Sequence, residues 1–235
     1  MTPSDLERVE VPPEPLADAL GEFIDQTFPD TSVPVPVYLQ TAQLCRRAAV
    51  DRYLASLPAR VDVLDIGAAQ GIFSRVLFDS RPFEHFTATW VDRDASAMDT
   101  GLRAAPFGAH VKRVPADLED ERWARMIRDE AFDCALIGLL HHHIGSSTYT
   151  RIIDVVIGQK LRSRGRLVAV ELGAGLYQDG APLQVVIDSI SESIPDTIAS
   201  FEPTIVGTQV TVPALNREFR IEYVCFAIDA VAVGR

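Results

Sequence analysis

Cysteine is scarce: the 235 residues hold three, Cys45, Cys134 and Cys225, far apart and none in a Cys-x-x-Cys pair. That excludes a disulfide framework and offers no clustered thiolates for a metal. An odd, scattered set is what a reducing compartment leaves, so free buried thiols and a cytoplasmic location are expected. Long apolar runs are missing as well, since none reaches the roughly 20 residues that span a bilayer. The first ten residues, Met1 to Glu10, are polar and acidic, unlike a secretory leader. No membrane partner is expected. Positive charge is in deficit, with 22 Lys and Arg against 33 Asp and Glu and a net charge of −11. An acidic surface repels phosphate backbones, so nucleic acid is not expected as a partner. Arg162, Arg164 and Arg166 run against that trend and read as a solvated turn ahead of a strand. There is neither an internal repeat nor a low-complexity tract.

What is present is a regular alternation. Residues 1–13 are polar and end in Pro12-Pro13, which predicts a flexible N-terminus. Pro15 to Phe28 carries Leu16, Ala19, Leu20, Phe23 and Ile24 at helical spacing. Pro29, Pro34 and Pro36 break the pattern. A second helix is expected from Tyr38 to Leu57, ended by Pro58. Thereafter short apolar runs read as strands near 61–66, 86–91, 110–114, 132–140 and 165–172. Helical segments are expected between them, near 71–78, 95–105, 123–129 and 149–161. Such alternation predicts an α/β fold, a mainly parallel sheet with helices on both faces. The tail adds a helix over 182–193 and two β-rich runs, 204–212 and 219–229, expected as a closing antiparallel strand pair.

The most informative stretch is Val63-Leu-Asp-Ile-Gly-Ala-Ala-Gln-Gly71. An apolar strand delivers a carboxylate, then small residues that let a ligand approach the backbone, then a helix start that favours negative charge. It is not a Gly-x-Gly-x-x-Gly dinucleotide turn, because Ala69 and Ile72 stand where glycines belong. It is not a phosphate-binding P-loop either, because Ile72 follows Gly71 in place of lysine.

The stretch resembles motif I of the class I S-adenosylmethionine-dependent methyltransferases, acidic-x-Gly-x-Gly-x-Gly, with Asp65, Gly67 and Gly71 matching and Ala69 replacing the middle glycine. Four further markers follow in order. Ala88-Thr-Trp-Val-Asp92 ends in a carboxylate placed to accept ribose hydroxyls, with Asp94 as a rival better suited to capping a helix. Val114-Pro-Ala-Asp117-Leu118 resembles the segment that meets adenine. Phe132-Asp-Cys-Ala-Leu-Ile-Gly-Leu-Leu-His-His-His143 resembles the fourth strand and its exit. Lys160 to Val168 resembles the turn into the fifth strand, with Ser163 for its proline and Arg164 for its first glycine. The match runs from about Val61 to Leu172, half the chain.

The resemblance implies a Rossmann-like core over 59–235 and an N-terminal helical lid over 14–58, in which Phe28 and Tyr38 flank the proline-rich stretch. S-adenosyl-L-methionine is the implied cofactor, held by Asp65, Gly67, Ala68, Ala69, Gly71, Asp92, Arg93, Asp117, Leu118 and Gly138. The partner is a small-molecule acceptor, and a homodimer is compatible with this. Imidazoles beside the transfer site can take a proton near neutrality, so His141 and His142 are candidate bases, and Glu171 at the end of strand five is a third catalytic candidate. His141 and His143 share a face in extended chain, yet lack a third ligand nearby, and no metal is expected. Two other activities stay open: a non-methylating step such as a cyclisation, and a non-catalytic binding module.

Overall fold

The structure, a computed structural model, describes residues 7–10, 35–172, 183–194, 203–212 and 217–230. Its strands are β1 (Arg8–Glu10), β2 (Arg60–Ile66), β3 (His85–Asp92), β4 (Val111–Pro115), β5 (Phe132–Gly138), β6 (Leu161–Leu172), β7 (Thr204–Val212) and β8 (Arg217–Asp229). They form one eight-stranded sheet in the order β1-β7-β8-β6-β5-β2-β3-β4. All pairings are parallel except those of β8, which runs antiparallel to both β6 and β7. The chain lays β2, β3 and β4 outward in one direction, then returns to place β5 on the other side of β2. The strand order therefore reverses between β2 and β5, and a crevice opens there beyond the carboxyl ends of the strands.

Side-chain alternation divides the core in two. Val61 and Val63 join one apolar cluster and Leu64 and Ile66 the other, as successive side chains on a strand must. The first cluster is covered by α1 (Val35–Tyr53), α2 (Ile72–Ser80) and α3 (Ala95–Ala104). The second is covered by α4 (Ser146–Val155) and α5 (Leu183–Glu192). Asp65 shares the parity of Val61 and Val63, so it faces α2. The expected strands and the closing antiparallel pair are present. All three cysteines are free and buried.

Several boundaries differ from the sequence reading. Part of the stretch expected to be loose, Arg8–Glu10, is an edge strand parallel to β7. The second helix starts at Val35, three residues early, because proline is compatible with a first helical turn and Pro36 occupies it. The helix expected over 123–129 is a 3-10 turn at Glu121–Met126, opened by the Asp120 side chain accepting from Arg122 N at 3.0 Å. β6 begins at Leu161 rather than near Gly165, through an irregularity opposite Phe132 and Cys134. Arg164 sits inside it with φ +70°, a conformation suited to the glycine it replaces. Two arginines of the patch are paired: Arg162 with Asp62 and Asp133, and Arg166 with Asp229. Pro15 to Phe28 and Gly173 to Gly175 lie outside the described residues, so α1 is the described part of the expected lid. Among the described residues no helix is long and apolar enough to cross a membrane.

Candidate active site

A cleft of about 390 Å³ opens at the reversal of strand order. Its floor is the turn between β2 and α2, where Gly67, Ala69 and Gly71 have φ of 67°, 45° and 66°. Gly71 is required on space as well: a Cβ there would lie 2.0 Å from the Trp90 ring. Small residues bring the backbone of Gly67, Ala68 and Ala69 to the surface of the cleft.

Carboxylates stand at the ends of three successive strands. Asp65, 2% exposed, accepts from Ser74 through its N–H at 3.1 Å and its hydroxyl at 2.5 Å. The same hydroxyl accepts from Trp90 Nε1 at 3.2 Å. Burial pushes the Asp65 carboxyl up to about 6, against the pull of Ser74 and Arg46. Asp92 is half-buried and accepts from Ala69 N and from Asp94 N, both at 2.8 Å, so it braces the glycine turn while facing the cleft. Asp94 caps α3, accepting from Ala97 N at 2.9 Å. Asp117 accepts from Glu119 N at 2.9 Å and lines the cleft beside Leu118.

The far wall is the exit of β5. Gly138 leaves room for Arg46 and Phe73: a Cβ there would lie 3.1 Å from Arg46 Nε and 3.3 Å from Phe73 Cδ1. Leu139 turns with φ +59°, and Leu140 then packs over Gly67.

No family model matches the sequence, and no curated protein matches it. Solved structures do. An N-methyltransferase, NodS from Bradyrhizobium japonicum WM9, superposes with a TM-score of 0.55 at 16% identity, over 82% of this chain and 97% of that one. Precorrin-6y C5,15-methyltransferase from Geobacter metallireducens GS-15 gives 0.54 at 16%, over 79% and 86%. A geranyl diphosphate methyltransferase, solved in complex with GPP and sinefungin, gives 0.54 at 14%, over 80% and 77%. This chain has the class I methyltransferase fold.

Within that fold the residues expected to bind the cofactor come together. Asp65, Gly67, Ala68, Ala69, Asp92, Arg93, Asp117, Leu118 and Gly138 all line the one cleft, and Gly71 shapes it from beneath. Two of the three expected catalytic residues, Glu171 and His141, are placed differently. Glu171, 1% exposed, is not on the cleft wall. It accepts from Leu140 N at 2.8 Å, His141 N at 3.1 Å and Tyr149 Oη at 2.9 Å, and so holds the exit of β5 from behind. Burial pushes its carboxyl up to about 7 despite those donors and Arg46. The His141 ring stands edge-on to Tyr149, centroids 5.0 Å apart, with Nε2 3.2 Å from Ser193 Oγ. Its burial lowers the pKa. The His142 side chain lies outside the described residues. Among the described histidine side chains, His143, beside Ile144, lines the cleft. Among the described residues no cluster of metal-ligating groups forms.

Arg46 and Phe73 were not foreseen. Arg46 lies among Ala42, Cys45, Ala49 and Val50 on the buried stripe of α1 and is itself 7% exposed. An arginine on an apolar stripe was the available signal, since charges there need a reason.

Proposed function

We propose that the protein transfers a methyl group from S-adenosyl-L-methionine to a small molecule, in the chemistry of a natural-product tailoring step. The observation that carries this reading is the convergence of Asp65, Asp92 and Asp117, from the ends of β2, β3 and β4, on one cleft whose floor is a turn of small residues. That donor set fits an adenosyl amino acid. Asp92 offers carboxylate oxygens to ribose hydroxyls, Asp117 and the Leu118 backbone suit an adenine edge, and Gly67 to Ala69 leave backbone space for the amino-acid portion.

When bound, S-adenosylmethionine supplies an already activated methyl group. The residues of this chain bind, orient and exclude water. Asp92 and Asp117 fix the nucleoside end, and Leu139, Leu140, Phe73 and Gly138 form the apolar wall at the other. Among the described side chains, His143 offers an imidazole on the cleft that can take a proton from an acceptor oxygen or nitrogen. A small acceptor fits the net charge of −11, which disfavours a phosphate backbone.

Calorimetric titration with S-adenosylhomocysteine tests the reading. Micromolar binding by the wild type and a loss of tenfold or more in Asp92→Ala is expected. A folded wild type that binds neither this ligand nor S-adenosylmethionine refutes it and leaves a binding module without the cofactor. Binding without methyl transfer to any acceptor, with the cofactor recovered intact, points to a non-methylating step.

A further inference from the structure

A second cavity, of about 270 Å³, lies at the other end of the sheet. Asp133 and Arg162 on its wall stand at the amino ends of β5 and β6, and the turn after α1 closes it with Ser56, Leu57 and Pro58. From Asp133 to Gly138 on the cleft wall is roughly 16 Å along β5, at about 3.3 Å per residue. That separates this cavity from the cleft. Its chemistry is set by arginine: Arg162, Arg164 and Arg166 all line it, in a chain whose net charge is −11.

Two of these arginines are held in place. Arg162 lies between Asp62 and Asp133, at 2.7 Å from each. Arg166 is held by Asp229 and donates to Tyr53 O at 2.7 Å. Beside them Arg81 donates to Ala55 O at 2.6 Å and to Leu57 O at 2.7 Å. The carbonyls at the end of α1, which would repel an anion, are thus covered by guanidinium groups. Four arginines meet three aspartates here, and Asp133, on the cavity wall, is already paired with Arg162. Arg164 is the exception. It is exposed, and among the described residues it pairs with no acid. It also holds φ +70°, which glycine adopts without strain and an L side chain resists. The strand bulges at this point: Phe132 pairs with Leu161 and Cys134 with Arg166, so residues 162–165 stand opposite Asp133 alone. Glycine at 164 would relax that bulge, so the strain is kept for a cation at the mouth of the cavity.

A planar guanidinium fork matches the oxygens of phosphate two at a time. Ser56 and Ser163, both on the wall, add hydroxyl donors. The volume falls below the roughly 300–1,000 Å³ of pockets for drug-sized ligands, and suits an ion of a few heavy atoms. We propose that this cavity is a second binding site, in which Arg164 closes on a phosphate-sized oxyanion beside Arg162 and the hydroxyls of Ser56 and Ser163. The paired arginines supply a fixed positive wall, and the unpaired one supplies the fork that moves onto the ligand.

Titration of the whole chain with inorganic phosphate and with pyrophosphate, against potassium chloride at matched ionic strength, tests the site. Binding with a millimolar or lower Kd is expected. The melting temperature should rise by roughly 3–6 °C at about ten times Kd, with no such rise in chloride. Arg164→Gly should weaken the anion about fivefold or more, while melting at or above wild type in its absence because the bulge relaxes. Arg164→Lys keeps the charge, loses the fork and should fall between; it decides alone if the glycine variant does not fold. Phosphate should not compete with S-adenosylhomocysteine for the wild type. Phosphate binding unchanged in the variants, or a response equal to that in chloride, overturns the site. Competition with S-adenosylhomocysteine also overturns it, by putting the anion in the cleft. The comparison of phosphate with chloride holds whether or not the cleft takes an adenosyl ligand, so the two readings fail separately.

Discussion

Two single-methyl changes in the β2–α2 turn should act in opposite directions. Gly71→Ala adds a Cβ that would lie 2.0 to 2.4 Å from three atoms of the Trp90 ring, at a backbone φ of +66°. The ring cannot withdraw, being fully buried and tied through Nε1 to Ser74 at 3.2 Å. A left-handed conformation costs an L residue roughly 1–2 kcal/mol, and overpacking a filled core costs roughly 1–3 kcal/mol. A total of about 2–5 kcal/mol corresponds to a melting temperature lowered by roughly 5–15 °C in a chain of this size. Ala69→Gly relieves the same backbone penalty, at φ +45°, and its Cβ is lost from an exposed position. After the greater freedom of glycine in the unfolded chain is deducted, the gain is about 0.5–1 kcal/mol. Thermal melting of both variants beside the wild type checks the pair. A Gly71→Ala protein melting within about 1 °C of wild type would show that the turn does not press on Trp90 as described.

Ser74→Ala removes the hydroxyl shared by Asp65 and Trp90 Nε1, leaving two buried polar groups short of a partner. The expected cost is about 2–4 kcal/mol by chemical denaturation, and the Asp65 carboxyl, which Ser74 holds down, should titrate higher. His143→Ala should weaken S-adenosylhomocysteine several-fold because the side chain lines the cleft. His141→Ala, whose ring meets Tyr149 and Ser193 instead, should keep that affinity within about twofold while losing about 1 kcal/mol of stability. Reversal of those two results in titration and melting would place the wrong histidine on the cleft.

The sheet was legible because its signals are local. The apolar strand run Val61 to Ile66, a carboxylate at its end and a small-residue turn to Gly71 fix a strand, a turn and a helix start in eleven residues, and the next strands repeat the pattern. The same locality made Asp65, Gly67, Asp92 and Asp117 readable as one set. What failed to show was direction. Glu171 ends a strand at the carboxyl edge, as a site residue does, but its neighbours on α4 and the β5 exit enclose it, and those contacts are set by tertiary packing. Three consecutive histidines likewise look alike in sequence, whereas the 3-10 turn at His141–His143 sends His141 toward α5 and His143 toward the cleft. Arg46 was hidden for the opposite reason. α1 precedes the resembling half of the chain, so only its place on an apolar stripe marked it.

Glu171 also makes stability depend on pH. In the unfolded chain its carboxyl has a pKa of about 4.5, the ordinary glutamate range, and burial raises it to about 7 in the fold. The native state therefore holds this proton more tightly than the unfolded state. Its contribution is fully present at low pH and is lost as pH rises through the folded value. Between pH 5 and pH 8 the loss integrates to about 2–3 kcal/mol. Replacing a buried charge by a neutral isostere removes that pH-dependent term, whatever constant cost the amide brings in facing Tyr149. The melting temperature of Glu171→Gln relative to wild type should hence be roughly 5–10 °C more favourable at pH 8 than at pH 5. A relative melting temperature that does not change with pH would mean that the carboxyl is not buried as charged at pH 8. Ionised Glu171 would then lose its place in the stability argument.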